Sequence, residues 1–335
     1  MPHDPFRRPS SSDVIHAMER LKGRIRRTPV LESERLNEKV GGRVLIKAEC
    51  LQLTGSFKIR GAFNRLLLLS AEERERGIVA WSAGNHAQAL AYVGAKLGVR
   101  ATIVMPADAP RAKIEGTRRY GAEVVFYNRQ TQDRESIGQT LATNSGAVIV
   151  PPYEDADVIA GQGTAGLELL EDAAELNAPL DQMISCVGGG GLVAGCALAA
   201  QARGDATEFF AAEPFGYDDT LRSLRAGTRV QNDMSVPSIA DALMTITPGE
   251  LTFSLNRELL KGGFTVSDAD IAEAMRFAFS ELHLVVEPGG VAALAAVLSQ
   301  PDAFSGRLTG VLLTGGNVDA DLFCATVSCG SSGLV

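Results

Sequence analysis

The sequence lacks any run of apolar residues that approaches the length of about 20 needed to cross a bilayer. Its first segment, MPHDPFRRPSSSD, also lacks the apolar core of a secretory signal. We therefore expect a cytoplasmic protein without membrane contacts.

Positive charge is scarce as well, because 32 Lys and Arg residues stand against 40 Asp and Glu residues, which gives a net charge of −8. Since nucleic-acid surfaces need clustered basic residues, we expect a small-molecule ligand and no nucleic acid.

Closely paired cysteines are missing except at the far C-terminus. The cysteines are odd in number and lie mostly in apolar surroundings: Cys50, Cys186, Cys196, Cys324 and Cys329. This pattern predicts reduced, packed thiols and argues against a disulfide framework or a zinc site.

The chain does contain a regular alternation of strand-like and helix-like segments. Apolar strand-like runs at 77–81, 101–105, 123–127 and 147–152 are separated by segments in which apolar residues recur with helical spacing. Further buried strands are indicated downstream, where residues 182–191 run from apolar residues into glycines. The pattern predicts an α/β protein with open parallel sheets covered by helices on both faces. Ligands of such folds lie at the carboxyl ends of strands.

Lys58, within SFKIRGA, is a candidate nucleophile. A lysine that forms a Schiff base must be positioned and partly desolvated so that some of its amine is neutral. Phe57 and Ile59 flank Lys58. Taken alone, a lysine at the start of a helix is most often a solvated surface residue, so the case for Lys58 depends on the other motifs.

Three glycine-bearing turns follow predicted strands. SAGNHAQA (82–89) opens a helix whose free N–H groups suit a carboxylate, although Ser82 and Asn85 could also be ordinary helix caps. Gly188 to Gly191 could wrap a phosphate, and a dinucleotide loop or a turn without a ligand stays open. In LTGGNVD (313–319), Thr314 could present its hydroxyl to a ring nitrogen.

Together, SFKIRGA, SAGNHAQA, VIAGQGT, VGGGGLVAG and LTGGNVD, in this order, resemble fold-type-II pyridoxal-phosphate (PLP) enzymes of the threonine/serine dehydratase and serine racemase family. The fold implied is that of the tryptophan synthase β subunit. The resemblance implies a large PLP-binding domain of residues 1–71 plus 151–335 and a small substrate-binding domain of residues 72–150. It implies no C-terminal regulatory domain, and it favours a homodimer.

The resemblance also implies roles for individual residues. Lys58 is both the Schiff-base anchor of the cofactor and the general base. The further cofactor contacts implied are Phe57, Asn85, Gly188, Gly189, Gly190, Gly191, Leu192 and Thr314. The substrate contacts implied are Ser82, Ala83, Gly84, Asn85, His86, Arg134 and Thr245. Glu213, Asp219 and the Tyr217 carbonyl are predicted to bind Mg²⁺, Ca²⁺ or Mn²⁺ through oxygen atoms.

The function implied is PLP-dependent β-elimination, in which a threonine- or serine-type amino acid gives a 2-oxo acid and ammonia. A hydroxyl at Thr314 cannot keep the pyridine protonated as a carboxylate would, which favours prompt loss of a β-leaving group. Related racemases carry a serine where this chain has Ala83, which argues against racemisation. Alternatives are 3-hydroxyaspartate, which Arg134 would suit if it points inward, and a hydroxyectoine-derived substrate, suggested by residues 244–253. A plain surface arginine explains Arg134 at least as well. A nicotinamide oxidoreductase and a non-catalytic amino-acid sensor are the remaining rivals.

Overall fold

The computed structural model describes residues 4, 7–109 and 111–328, and these residues form two sheets. The strands are β1 (Val30–Leu31), β2 (Arg43–Ala48), β3 (Ile78–Trp81), β4 (Ala101–Pro106), β5 (Glu123–Tyr127), β6 (Val148–Ile149), β7 (Gln182–Cys186), β8 (Glu208–Pro214), β9 (Leu260–Val266) and β10 (Leu308–Leu313). The larger sheet has the order β1-β2-β10-β7-β8-β9, and the smaller has the order β5-β4-β3-β6.

Parallel pairing dominates both sheets. All neighbours in the smaller sheet are parallel, as are those of the larger sheet from β2 to β9. The exception is β1, which pairs antiparallel with β2 at the sheet edge. The predicted α/β class is therefore confirmed, with one antiparallel edge strand added. A two-residue strand at an edge can join in this direction because it needs no crossover connection.

Helices surround the two sheets. They are α1 (Ser11–Leu21), α2 (Glu34–Val40), α3 (Lys58–Leu67), α4 (Ala71–Arg76), α5 (Asn85–Leu97), α6 (Arg111–Arg118), α7 (Arg134–Ser145), α8 (Ala156–Glu175), α9 (Gly191–Arg203), α10 (Asp219–Ala226), α11 (Glu250–Leu259), α12 (Asp268–Glu281), α13 (Ala292–Ser299) and α14 (Ala320–Ser328). Local sequence sets several boundaries. Asp155 caps α8 through its carboxylate, and α5 and α9 each end at a left-handed glycine. Over the described residues, no helix is long and apolar enough to cross a membrane.

Three clusters of buried apolar side chains fill the interior. Two contain residues of the larger sheet and the helices on it, such as α13 and α9. The third lies on the smaller sheet and includes Ile59, Ala62 and Phe63 of α3. Helix α3, which begins at Lys58, therefore packs against α5 of the small sheet as well as against α8. The division of the chain at residues 72 and 150 stays a proposal, with α3 lying where the two parts meet.

A buried ion-pair network fixes α3 immediately after Lys58. The Arg60 guanidinium is fully buried and lies 2.7 Å from Glu49 and 2.8 Å from Glu168. Lys47, also fully buried, lies 2.9 Å from Glu168. These contacts raise the pKa of Arg60 against the effect of its burial. Because Arg60 lies within one helical turn of Lys58, the network holds the start of α3 in place.

Replacing Arg60 with methionine is expected to destabilise the protein by about 3–5 kcal/mol, because two buried carboxylates lose their shared cation. The measurement is the free energy of urea unfolding followed by circular dichroism. Arg203, which pairs with Asp205 on the surface, is the matched control, and Arg203→Ala should cost less than about 1 kcal/mol. Equal losses in the two variants would show that the network does not hold α3.

Candidate active site

The motifs converge at the carboxyl ends of three strands. Residues 82–85 follow β3, residues 188–191 follow β7, and residues 314–317 follow β10. Lys58 reaches the same place from the start of α3, because Phe57 donates its backbone N–H to the Thr314 carbonyl at 3.1 Å. The site thus joins both sheets, as the parallel-sheet rule predicts.

The Lys58 side chain is partly buried and lacks an acidic partner among the described residues. Its amine donates to the Pro152 carbonyl at 2.8 Å and lies 5.1 Å from the centre of the Phe57 ring. Loss of hydration lowers the pKa of Lys58 to about 8, from an ordinary value of 10.5. A substantial fraction of this amine is therefore neutral near neutral pH, as a nucleophile or general base requires.

The glycines at 188–191 form a turn that side chains could not occupy. A Cβ atom at Gly189 would lie 2.1 Å from the Tyr153 ring, and one at Gly190 would lie 2.4 Å from the Asn256 amide nitrogen. Gly190 also has φ 85°, and α9 begins at the next residue. The turn therefore directs the free N–H groups at the start of α9 toward one place, which is a suitable cradle for an anion. Leu192 is buried behind it.

The start of α5 offers a second set of N–H groups. Gly84 precedes the helix, and a Cβ atom there would meet open space. Ser82 accepts a hydrogen bond from the Gly84 N–H at 3.3 Å, and Ala83 is partly buried. His86 is buried and contacts the Val150 carbonyl at 2.9 Å. Burial and the nearby Lys58 charge lower the pKa of His86 to about 3, so this ring is a neutral wall of the site.

Thr314 is buried at the end of β10. Its hydroxyl lies 3.1 Å from the sulfur of Cys186, the last residue of β7. Burial raises the pKa of Cys186 to about 11, so the thiol is neutral and can act as a donor to Thr314. Cys50 and Cys196 are buried thiols too, as predicted, whereas Cys324 is exposed because α14 has one face in solvent. Cys329 lies outside the described residues.

Arg134 is the first residue of α7, and its side chain is exposed. Its guanidinium makes no ion pair or hydrogen bond with any residue that the structure describes. Burial raises the pKa of Tyr153 to about 12, and the positive charge of Arg134 opposes that rise. Tyr153 packs on Gly189, so Arg134 lies within electrostatic range of a residue of the glycine turn's surroundings.

Glu213 and Asp219 come together behind the turn as a buried pair of carboxylates. Glu213 accepts the N–H groups of Thr220 and Leu221 at 3.0 and 2.9 Å. Burial, and secondly the neighbouring Asp219, raise the pKa of Glu213 to about 8. Thr245 directs its hydroxyl at Asp219 rather than into open space, while its methyl group faces Gly188.

The third predicted metal ligand, Tyr217, is buried and donates its hydroxyl to the Val236 carbonyl at 2.6 Å. In the part of the chain that is described, no group of three or more His, Cys, Asp or Glu residues is arranged so that it could hold a metal ion. The metal prediction therefore depends on two carboxylates completed by backbone oxygen and water.

Comparison with known proteins decides which chemistry this site belongs to. Residues 21–315 match the family model described as pyridoxal-phosphate dependent enzyme. The chain belongs to this family. The enzyme is 46% identical to the L-threo-3-hydroxyaspartate ammonia-lyase of a Pseudomonas species, over 94% of this chain and 98% of the relative. It is 38% identical to the serine racemase of Schizosaccharomyces pombe, over 96% of this chain and 98% of the relative.

A solved structure agrees. The crystal structure of a T.th. threonine deaminase matches with a TM-score of 0.88 and 42% identity, over 93% of this chain and 99% of that one. The fold-type-II assignment, the PLP cofactor and the class of PLP-dependent ammonia-lyase are thereby confirmed.

The residues of this PLP enzyme fit the cofactor. The turn at 188–191 leads into the unpaired N–H groups at the start of α9, which suit an anion, and Gly189 and Gly190 leave no room for a Cβ atom. Lys58 presents a desolvated amine between this turn and Thr314. PLP needs such a set: a phosphate cradle, an amine for its aldehyde and a polar group for its ring nitrogen.

The lowered pKa of Lys58 predicts how the apoenzyme takes up PLP. A neutral Lys58 amine would react with the PLP aldehyde, so the rate of PLP uptake should rise about tenfold per pH unit below pH 8 and level off above it. Stopped-flow absorbance of the apoenzyme mixed with PLP measures this rate. A rate that goes on rising toward pH 10.5 would mean that Lys58 is solvated like an ordinary lysine.

Two residues of the site escaped the sequence analysis. Glu287 and Asn317 both hydrogen-bond the Asn85 side chain, at 2.5 and 2.7 Å. Glu287 precedes Pro288, Gly289 and Gly290 within an otherwise apolar segment. A carboxylate within an apolar segment, next to glycines that let another part of the chain approach closely, is the sequence signal that could have pointed to Glu287.

Proposed function

We propose that this ammonia-lyase acts on 3-hydroxyaspartate, the alternative that the sequence left open beside threonine and serine. The observation that carries the proposal is the exposed guanidinium of Arg134, which makes no ion pair or hydrogen bond with the described residues and lies within electrostatic range of Tyr153, the residue that packs on Gly189. A guanidinium binds a carboxylate through two parallel hydrogen bonds, and 3-hydroxyaspartate has a second carboxylate where threonine has a methyl group. The likeness to the Pseudomonas enzyme supports this choice.

Three further contacts complete substrate and cofactor binding. The start of α5 would bind the α-carboxylate, because its N–H groups and the positive end of its dipole face open space at Gly84. The turn at 188–191 would bind the phosphate of PLP, and the Asn85 amide would bind its phenolic oxygen. Thr314, in contact with Cys186, would donate its hydroxyl to the ring nitrogen.

When bound, PLP supplies an electron sink for the bonds at the substrate α-carbon. The amine of Lys58 would remove the α-proton as general base. It would then give this proton to the β-hydroxyl, which would leave as water. Hydrolysis of the released product returns one water, so 3-hydroxyaspartate gives oxaloacetate and ammonia with atoms in balance. His86, neutral at working pH, lines the site and takes no proton.

A substrate panel tests this proposal. Ammonia release is measured from 3-hydroxyaspartate (threo and erythro), L-serine and L-threonine at equal concentrations. The proposal predicts that kcat/KM is highest for a 3-hydroxyaspartate isomer, with oxaloacetate as the second product. Higher kcat/KM values for threonine or serine would overturn it in favour of the threonine/serine type. The hydroxyectoine-derived alternative stays a prediction that the same assay can test.

Racemisation is the second candidate function, because serine racemases are among the relatives. It requires an acid on the face of the substrate opposite Lys58, and the methyl group of Ala83 cannot supply a proton. We therefore expect no racemase activity, which chiral chromatography of L-serine after incubation checks.

We also propose a divalent cation between Glu213 and Asp219. Burial raises both pKa values, repulsion from Asp219 adds to the rise at Glu213, and a cation would relieve that cost. Adding Mg²⁺ or Ca²⁺ to EDTA-treated enzyme should raise the thermal midpoint, and Asp219→Asn should remove this response. The exposed Asp233→Asn is the control. An unchanged midpoint with Mg²⁺, Ca²⁺ and Mn²⁺ would contradict the site.

A further inference from the structure

Glu287 is a buried carboxylate without a cation. It is 5% exposed, and none of the basic residues that the structure describes forms an ion pair with it. Burial raises the pKa of Glu287 to about 7, and the hydrogen bond from Asn85 opposes that rise. Burying a carboxylate costs free energy unless hydrogen bonds or a paired charge compensate for its lost hydration. Its contact in the site is the Asn85 amide nitrogen at 2.5 Å.

Glu287 ends a chain of hydrogen bonds that crosses the site. Asn317 donates to the Thr54 carbonyl at 2.7 Å and to Asn85 Oδ1 at 2.7 Å. Asn85 donates in turn to Glu287. The Thr54 carbonyl can only accept, so this end alone sets the direction of donation, and an ionised Glu287 accepts at the other end.

This direction fixes which way the Asn85 amide faces. Its oxygen must face Asn317, and its nitrogen must face Glu287. One hydrogen of the amide nitrogen is then used by Glu287, and the other is free. An amide without hydrogen-bond partners has two orientations of similar energy. The hydrogen bonds to Asn317 and Glu287 exclude the orientation in which Asn85 would present its oxygen at the position where a donor to PLP is needed.

Two glycines leave room for the chain. A Cβ atom at Gly55 would lie 2.6 Å from Asn317 Oδ1, and one at Gly315 would lie 2.1 Å from Glu287 Oε1 and 3.0 Å from Asn85 Nδ2. Gly55 also has φ 74°, in the left-handed region that glycine favours. Gly315 lies in the LTGGNVD motif and Gly55 directly precedes SFKIRGA, so the backbone there is shaped around these side chains.

We propose that Glu287 and Asn317 are positioning residues that hold the Asn85 amide with one N–H free for the phenolic oxygen of PLP. Glu287 and Asn317 act through Asn85 and need not touch PLP themselves. The inference rests on the proposed role of Asn85 as a cofactor contact. The same hydrogen bonds also align α5, which begins at Asn85, with the part of the chain that contains the glycine turn.

A double-mutant cycle on PLP affinity tests the proposal. Apoenzymes of the wild type, Asn85→Ala, Glu287→Leu and the double variant are titrated with PLP and followed by imine absorbance. Glu287→Leu should weaken binding about tenfold, the effect of one hydrogen bond to a charged group. In the Asn85→Ala background it should cause no further loss. Glu287→Gln, whose amide oxygen can still accept from Asn85, should bind PLP more tightly than Glu287→Leu.

The outcomes separate the possible failures. Equal weakening by Glu287→Leu in both backgrounds would mean a general structural role and would overturn the inference. If Asn85→Ala binds PLP as the wild type does, the proposed contact of Asn85 fails, while the proposed substrate is still decided by the panel of amino acids. Asn317→Leu gives a second cycle with the same expected result if Glu287→Leu does not fold, as judged by circular dichroism.

Discussion

Replacing Lys58 with alanine is expected to abolish the imine absorbance and to lower kcat for elimination by at least about 10⁴-fold. Both losses have one cause, because the same amine binds the cofactor covalently and removes the α-proton. The amine lies beside the Phe57 ring and the Pro152 carbonyl, where burial lowers its pKa to about 8. The measurements are the absorbance spectrum of the purified variant and ammonia release from 3-hydroxyaspartate.

Lys22→Ala is the control for this variant, because Lys22 is exposed after α1 and far along the chain from the motifs. It should keep the wild-type spectrum and rate. A Lys58→Ala enzyme that still eliminates water within about tenfold of the wild type would show that another group is the base.

Replacing Arg134 with alanine is expected to lower kcat/KM for 3-hydroxyaspartate about 100-fold and to leave that for L-serine nearly unchanged. Only the former substrate has a second carboxylate, and loss of a charged hydrogen-bond pair costs about 1.5–3 kcal/mol. Arg134→Lys should recover part of the loss, because it restores the charge without the planar pair of donors.

Arg129→Ala is the matched control, since Arg129 is an exposed arginine of the same region that pairs with Asp108. It should leave both substrates unaffected. Parallel losses for 3-hydroxyaspartate and L-serine in Arg134→Ala would contradict a contact with the second carboxylate and point to a role in the fold of α7.

Most of the fold could be predicted from sequence because its strands are apolar runs separated by helical spacing. The runs at β3, β4 and β5 are of this kind, and the structure has them at nearly the expected bounds. Strand β9 was harder to predict, because Gly262 and Gly263 interrupt LKGGFTV. Gly263 is required there by packing, since a Cβ atom would lie 2.4 Å from the Ala211 carbonyl. Such a contact is set by a neighbouring strand and has no local signal.

The candidate site, like the fold, has some residues that the sequence predicts and others that it does not. Lys58 and the glycine turn each lie within a short, continuous motif, and the order of these motifs carries the resemblance. The sequence alone was therefore enough to propose them. Glu287 and Asn317 act through Asn85, which is 202 positions from the former and 232 from the latter in the chain. Their role depends on three segments meeting in space. A single sequence without its structure does not reveal such a meeting.

The orientation of Thr245 could not be read from sequence for a similar reason. The sequence placed Thr245 in the substrate pocket, whereas its hydroxyl faces Asp219 and only its methyl group faces the glycine turn. A loop residue has no periodic pattern that fixes the direction of its side chain. The direction of Thr245 is therefore set by its packing against α10.

Reduction of the purified enzyme with borohydride, followed by peptide mass mapping, tests the central claim most directly. The imine becomes a stable secondary amine on reduction, so the modified lysine can be located without reference to activity. The account predicts a phosphopyridoxyl group on the peptide that carries Lys58 and on no other lysine peptide. Its presence on a different lysine, or its absence from enzyme that eliminates water, would contradict the account.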